Sequence, residues 1–175
     1  MATGVFGYGI GEMAQSLGAD VKTVGFSYDE TINDMARIEA AIAEFKPRMI
    51  TAVHCETPSG TLNPLAELGR LKERCGVPLF YVDAVSSIGG APVKADEWRI
   101  DLCLGGSQKC LSAPPATSFL SVSEAAWEIA EAVGYQAEGP GFHQGGMGFE
   151  KEAFGGSGSC NRRLLVLGSA ATVHG

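Results

Sequence analysis

Apolar positions recur at two spacings along the first 133 residues. Between residues 31 and 45 they lie three and four positions apart, which predicts an amphipathic helix that Pro47 ends. Short apolar runs of strand length occur at 49–54, 77–82, 100–104 and 117–122. We also expect a strand at 20–26, a short helix at 11–17, a helix from Asn63-Pro64 to Cys75-Gly76 with Asn63 as its N-cap, and a helix at 123–133 with Ser123 as its N-cap.

This alternation of helices and strands predicts an α/β fold. Runs such as 77–82, which are apolar at nearly every position, are typical of strands buried on both faces of a parallel sheet. We therefore expect three layers, a mostly parallel sheet with helices on both faces. Ligands of such sheets bind beyond the carboxyl ends of the strands, which directs attention to the residues just after 54, 82 and 104.

Composition narrows the class of protein. The chain has 175 residues, 45% hydrophobic and 19% charged, with a net charge of −7. These values are typical of one globular domain and argue against a nucleic-acid partner, which requires clustered basic residues. The five cysteines form no C-x-x-C pair, and the late apolar stretch 164–173 is too short to span a membrane, so no metal, no membrane partner and a cytoplasmic location are expected.

The 24 glycines divide the chain into two parts. The glycines at 4, 7, 60, 89, 90, 105 and 106 lie in turns of the motifs discussed below. Residues 137–175 contain several glycine pairs and a Gly-Ser repeat without a long periodic segment. We therefore predict an α/β part at 1–136 and an irregular, Gly-rich tail at 137–175.

Three polar segments follow the three buried strands: 54–60, 83–90 and 105–111. Together they bring a carboxylate (Asp83), several hydroxyls, an amide (Gln108) and a lysine (Lys109) to one edge of the sheet. A lysine held on a loop beside a sheet can form a Schiff base with an aldehyde cofactor. A carboxylate at a strand end can keep a pyridine nitrogen protonated, which is the partnership that pyridoxal phosphate sites use.

The same segments resemble those of a known family. The matching residues are Gly4-Val5-Phe6-Gly7, the segment 54–60, Asp83-Ala84-Val85-Ser86-Ser87, and Ser107-Gln108-Lys109-Cys110-Leu111 with Pro114-Pro115. In this order they resemble the class V aminotransferases, a family of fold-type I pyridoxal-phosphate enzymes. The chain is most similar to the alanine–glyoxylate and serine–pyruvate branch and is also similar to pyridoxamine–pyruvate aminotransferase. The resemblance implies a partial fold-type I large domain at 1–136, with the family's phosphate-binding turn and its small C-terminal domain lying outside this chain.

The resemblance also implies a role for several residues. Lys109 would be the Schiff-base lysine and would carry a proton between the substrate Cα and the cofactor. Asp83 would pair with the pyridine nitrogen, Thr57 would bind the phenolic oxygen, and Gln108 would reach toward the phosphate. Glutamine before the lysine, where related desulfurases usually carry histidine, favours transamination over sulfur transfer.

Two further residues would contact the cofactor ring, Phe6 on one face and Val85 on the other. The implied reaction transfers an amino group from a small donor, alanine-like, serine-like or pyridoxamine, to a 2-oxo acid such as pyruvate or glyoxylate. The implied cofactor is pyridoxal 5'-phosphate, and the implied assembly of the full-length form is a homodimer.

Two other interpretations stay open at this point. Residues 9–14 fit the G-x-G-x-x-A pattern of a dinucleotide-binding turn, and Asp29 follows at the end of the next predicted strand. Alternatively, the chain is a catalytically silent segment that associates with other chains. Of the neighbouring residues, we expect His54 to be structural and Cys110 to be a small buried thiol. Glu56 either orients its loop or is solvated.

Overall fold

A computed structural model describes residues 1–133 and 162–168, the latter as backbone. The helices are α1 (Val5–Ser16), α2 (Met35–Phe45), α3 (Leu65–Arg74) and α4 (Glu124–Ala132). The strands are β1 (Met49–Val53), β2 (Cys55–Glu56), β3 (Thr61–Leu62), β4 (Leu79–Asp83), β5 (Leu102–Gly106), β6 (Thr117–Ser123) and β7 (Arg162–Gly168).

Five strands form one mixed sheet in the order β1-β4-β5-β6-β7. The three strands β1, β4 and β5 run parallel, whereas β6 is antiparallel to β5 and β7 is antiparallel to β6. The short strands β2 and β3 pair with each other as a separate hairpin. Parallel pairing of β1, β4 and β5 turns the carboxyl ends of all three toward the same edge of the sheet.

Helices cover both faces of this sheet, as the apolar runs predicted. On one face the side chains of α2 and α3 pack with Phe80 and Val82 of β4. On the other face Leu79 packs with Val122 and with Ala126 of α4. Because neighbouring residues of a strand point to opposite faces, the alternation of Leu79, Phe80 and Val82 between these two clusters explains why the whole run is apolar. The predicted α/β fold class is confirmed.

The capping predictions have mixed outcomes. Ser123 caps α4 as predicted, its hydroxyl accepting the Ala126 N–H, and Gly76 follows α3 with a positive φ of 64°. The prediction of Asn63 as an N-cap is wrong, because Pro64 holds that position. The buried Asn63 side chain instead accepts the Ile32 N–H at 3.0 Å and donates to the Val53 carbonyl at 2.8 Å.

Two elements near the amino terminus differ from their predictions. The helix expected at 11–17 begins at Val5, and the segment 20–26 forms a single bridge between Ala2 and Gly25 instead of a strand. A strand needs a partner of similar length, and the partner here is Ala2 alone. Because 9–14 lies inside α1 and not at a strand-to-helix turn, the dinucleotide-binding interpretation is wrong.

The end of the chain contains one element that the sequence pattern did not predict. The backbone of β7 pairs along its whole length with β6, from Thr117↔Gly168 to Ser123↔Arg162. The rest of 137–175 lies outside the described residues, so its irregular character stays a prediction. Among the described residues, no helix is both long and apolar enough to cross a bilayer.

Candidate functional site

The structure brings the predicted site residues to the carboxyl ends of the parallel strands. Asp83 is the last residue of β4, and Lys109 lies three residues beyond the end of β5. Thr57 follows the short strand β2, directly after β1. Asp83 and Val85 are half-buried, whereas Thr57, Gln108 and Lys109 are exposed, so the edge is open to a ligand.

Asp83 is held by its own loop. Its Oδ1 accepts the N–H of Val85 at 2.9 Å, and of the described residues none donates to Oδ2. Burial raises the pKa of Asp83 above its usual value, while the Val85 N–H and the nearby Lys109 ammonium act in the opposite direction. Burial therefore disfavours the carboxylate, so the site favours a cationic partner that would offset this cost.

Hydroxyl and thiol groups link the three loops. The side chains of Thr57 and Ser86 share a hydrogen bond, which joins the loop after β1 to the loop after β4. The Cys110 thiol donates to the Ser86 carbonyl at 3.3 Å, which joins the loop after β5 to the same residue. Cys110 is exposed, so the expectation that it is buried was wrong. Its turn lies outside the sheet, where strand packing does not cover it.

Gly106 allows two predicted site residues to approach the end of β5. A Cβ built at Gly106 would lie 2.7 Å from Gln108 Oε1 and 3.2 Å from Val85 Cγ1. Any other residue would push one of these groups away. The lack of a side chain at Gly106 therefore lets Gln108 and Val85 approach the end of β5.

The turn that carries Lys109 is closed by hydrogen bonds. The Ser107 hydroxyl donates to the Pro114 carbonyl at 2.6 Å, and the N–H of Ser112 donates to the Lys109 carbonyl at 2.9 Å. The Ser107 N–H also donates to the carbonyl of Thr117 at the start of β6. Lys109 is thus fixed through its backbone while its side chain remains exposed.

Phe6 is connected to this group of residues by a hydrogen bond to Glu56. The Glu56 carboxylate is fully buried and accepts the N–H of Phe6 at 2.7 Å and that of Gly7 at 3.3 Å. Both N–H groups belong to the first turn of α1, where the helix offers them no acceptor of its own and where negative charge is favourable. Gly4 leaves the space that this carboxylate occupies, since a Cβ there would lie 2.6 Å from Glu56 Cγ. Glu56, the residue before Thr57, therefore holds the helix that carries Phe6, and Phe6 is 45% exposed.

His54 is part of the packing, as expected. It is 3% exposed, its Nδ1 lies 2.8 Å from Ser87 Oγ, and its ring meets Trp98 edge-on. Burial lowers the pKa of His54. Its contact with Ser87 fixes the far end of the loop that begins at Asp83.

Two residues of this site were missed by sequence reasoning. Ser86 lies in a quoted motif, but its pairing with Thr57 depends on two loops 29 residues apart. Glu56 had two open interpretations, and its full burial decides between them.

The donor set fits an aromatic aldehyde cofactor that carries a ring nitrogen, a phenolic oxygen and a phosphate. A carboxylate, hydroxyls, an amide and a primary amine lie within one group of loops, and Gly106 makes room for their approach. This set could hold such a molecule through its nitrogen, its oxygens and its aldehyde carbon. Among the described residues there is no cluster of side chains that could hold a metal ion.

Comparison with known proteins gives a consistent result. The sequence profile of the family described as "Aminotransferase class-V" matches residues 9–143. The chain is 39% identical over 131 residues to (S)-ureidoglycine–glyoxylate transaminase of Bacillus subtilis, covering 74% of this chain and 30% of that protein. It is 35% identical over 127 residues to pyridoxamine–pyruvate transaminase of Mesorhizobium japonicum, covering 73% of this chain and 32% of that protein.

A solved structure shows the same fold. The crystal structure of ureidoglycine–glyoxylate aminotransferase from Bacillus subtilis superposes with a TM-score of 0.72 at 36% identity. The superposition covers 79% of this chain and 35% of that chain. The present chain thus spans about a third of the length of the relatives it matches.

Proposed function

The chain belongs to the class V aminotransferase family, and from this premise we propose that it is the cofactor-binding core of an aminotransferase that uses pyridoxal 5'-phosphate. The proposed reaction transfers an amino group from a small donor, alanine-like, serine-like or pyridoxamine, to a 2-oxo acid such as pyruvate or glyoxylate. The names of the relatives, which give glyoxylate or pyruvate, support this acceptor class.

One structural observation carries the proposal. Asp83 and Lys109 follow neighbouring parallel strands and interact electrostatically at one open edge of the sheet. A half-buried carboxylate and an accessible amine are the two groups that a pyridine aldehyde requires at opposite ends of its ring. When bound, pyridoxal phosphate supplies an electron sink for the bond broken at the substrate Cα.

The chain's own residues would bind and orient this cofactor. Lys109 Nζ would form the Schiff base with its aldehyde carbon and later move a proton to or from the substrate Cα. Asp83 would hold a proton on the ring nitrogen, and that cation would favour the ionised carboxyl as Lys109 does. Thr57, already hydrogen-bonded to Ser86, would bind the phenolic oxygen.

Three further contacts complete the proposed site. Phe6 and Val85 would cover the two faces of the ring, and Gln108 would reach the phosphate. The close approach of Gln108 and Val85 to Gly106 supports the roles of these two residues. The hydrogen bond from the Phe6 N–H to Glu56, which holds the start of α1, supports the role of Phe6.

The proposal extends to the organisation of the protein. Residues 1–136 would form part of the cofactor-binding large domain, and the Gly-rich segment 137–175 would be a tail whose strand β7 extends the same sheet. The full-length form would be a cytoplasmic homodimer. The family membership supports this assignment.

Titration of the full chain with pyridoxal phosphate tests the proposal. Wild-type protein should develop the visible absorbance band of a Schiff base, and alanine should then yield pyruvate. Lys109→Ala should lose both. The matched control is Lys94→Ala, which removes an exposed lysine paired to Glu97. An equal band in Lys109→Ala would contradict the assignment of the lysine, and no band in wild-type protein would favour the catalytically silent alternative.

A further inference from the structure

Ser86 lies where the loops after β1, β4 and β5 meet, and the proposed function gives this residue no role. Its hydroxyl shares a hydrogen bond with the Thr57 hydroxyl. Its carbonyl accepts the Cys110 thiol at 3.3 Å. Ser86 therefore contacts the neighbour of Lys109 through its backbone and contacts Thr57, the proposed partner of the phenolic oxygen, through its side chain.

The backbone position of Ser86 is set by a turn that the sheet supports. The N–H groups of Ser87 and Ile88 both donate to the Ala84 carbonyl, at 3.0 Å and 2.9 Å. The Ala84 N–H donates to the Leu104 carbonyl of β5 at 2.9 Å, which connects this turn to the sheet. Ser86 is half-buried in the turn. Its hydroxyl thus starts from a well-defined backbone position.

Thr57 lies in a more open turn. The residue is exposed, and the Gly60 N–H closes its turn by donating to the Glu56 carbonyl at 2.8 Å. Of the residues that the structure describes, Ser86 alone hydrogen-bonds to the Thr57 side chain. A threonine side chain has three staggered positions about its first torsion. The contact with Ser86 selects the position in which the Thr57 hydroxyl lies where the loops meet.

The two hydroxyls share one hydrogen bond, so one of their two protons stays available for another acceptor. Without a further acceptor, either oxygen can be the donor within the pair. When Thr57 donates to a phenolic oxygen, the bond within the pair must run from Ser86 to Thr57. Hydrogen bonds in such a chain strengthen one another. Ser86 would therefore both orient the Thr57 hydroxyl and make it a stronger donor.

We propose that Ser86 is a positioning residue for the cofactor, an inference that rests on the proposed function. Ser86 donates its hydroxyl proton to Thr57 Oγ1 and so directs the Thr57 proton to the phenolic oxygen. It acts through Thr57 and not by contact with the cofactor. The Cys110 thiol, which donates to the Ser86 carbonyl, connects this pair of hydroxyls to the turn that carries Lys109.

Binding of two aldehydes to the full chain tests the inference. The probes are pyridoxal phosphate and 3-deoxypyridoxal phosphate, which carries hydrogen in place of the phenolic group. Calorimetric titration gives the dissociation constant of each, and their ratio is the preference for the phenolic oxygen. Because the intrinsic difference between the two aldehydes is the same for every variant, a change in this preference reports the interaction of the protein with that oxygen.

Two single variants and their combination separate an action through Thr57 from a structural effect. Thr57→Val should lower the preference at least about tenfold, because it removes a donor to a charged oxygen. Ser86→Ala should lower it about threefold or more, because all three positions of the Thr57 side chain become available. In the Thr57→Val background, Ser86→Ala should have no further effect.

The matched control is Ser59→Ala. It removes a half-buried hydroxyl from the same turn as Thr57, where Ser59 and Thr61 pair at 2.9 Å. This variant should leave the preference unchanged, and thermal unfolding should show that all variants fold.

The outcomes distinguish this inference from the proposed function. If Ser86→Ala weakens the binding of both aldehydes equally, or if its effect persists in the Thr57→Val background, then Ser86 does not act through Thr57. An unchanged preference in Ser86→Ala would also overturn the inference, and the proposed function would stand if wild-type protein still binds pyridoxal phosphate through Lys109. Absence of binding by wild-type protein would contradict the proposed function and the inference together.

Discussion

Replacing Glu56 with glutamine should destabilise the protein measurably, because a buried carboxylate caps α1. The wild-type side chain accepts two backbone N–H groups, those of Phe6 at 2.7 Å and Gly7 at 3.3 Å, and is fully buried. Glutamine can keep one of these bonds through its amide oxygen. Its NH₂ group then faces the second N–H, donor against donor, so that N–H loses its partner inside the protein.

The magnitude follows from two contributions. Losing one hydrogen bond to a charged acceptor costs about 1.5–3 kcal/mol. Losing the negative charge at the helix N-terminus costs about 0.3–1 kcal/mol, and relief from burying a charge offsets part of the sum. We expect the free energy of unfolding to fall by about 2 kcal/mol. For a chain of 175 residues this lowers the Tm by about 4–8 °C.

Urea and thermal unfolding, followed by circular dichroism, measure this effect. The matched control is Glu12→Gln, which removes an exposed carboxylate from the same helix. The control should change the free energy of unfolding by less than about 0.5 kcal/mol. If Glu56→Gln is as stable as the control, then the two N–H contacts do not stabilise α1 and the reasoning is wrong.

Three further predictions concern charge. Asp101→Ala should lower the free energy of unfolding in urea by about 3–5 kcal/mol, because it leaves the mostly buried Lys72 ammonium without its partner. In the wild-type pair Lys72 Nζ lies 2.8 Å from Asp101 Oδ2. A loss of less than about 1 kcal/mol would contradict this. The free energy of unfolding should fall as the pH is lowered from 8 to 6. Burial lowers the pKa of the Met1 amine from 8.0 to about 6 and lowers the pKa of His54 below 6.5. The unfolded chain therefore binds protons in this range that the folded chain does not. His54→Gln should flatten the part of this fall below pH 6.5, and an unchanged slope would refute the assignment. Asp83→Asn should weaken pyridoxal phosphate binding about 10- to 100-fold in absorbance titrations. Without cofactor, this variant should be at least as stable as the wild-type chain. An unchanged affinity would argue against pairing of Asp83 with the ring nitrogen.

The parallel part of the sheet was predictable because burial on both faces leaves a clear pattern. Leu79 of β4 lies in one apolar cluster and Phe80 and Val82 lie in the other, so the strand is apolar on both faces up to its carboxyl end. The juxtaposition of Asp83 and Lys109 followed from the same pattern, because the carboxyl ends of adjacent parallel strands meet at one edge. Local sequence and one topological rule were sufficient for these features.

The amino-terminal region was predicted less well because its structure depends on distant contacts. α1 contains three glycines, which lower its intrinsic helix propensity. Its first turn is stabilised by Glu56, about 50 positions away in sequence, and Gly7 packs closely against Ala2. Asn63 is a similar case, because its preference for an N-cap is overridden by hydrogen bonds to Ile32 and Val53. Neither effect leaves a periodic signal.

Chemical trapping of the cofactor tests the central claim most directly. The full chain is incubated with pyridoxal phosphate and reduced with borohydride, and the modified lysine is identified by mass spectrometry of the peptides. The account predicts that the reduced cofactor is attached to Lys109, whose turn is fixed beside Asp83. Attachment to any other lysine, or equal labelling of exposed lysines such as Lys94, would contradict it.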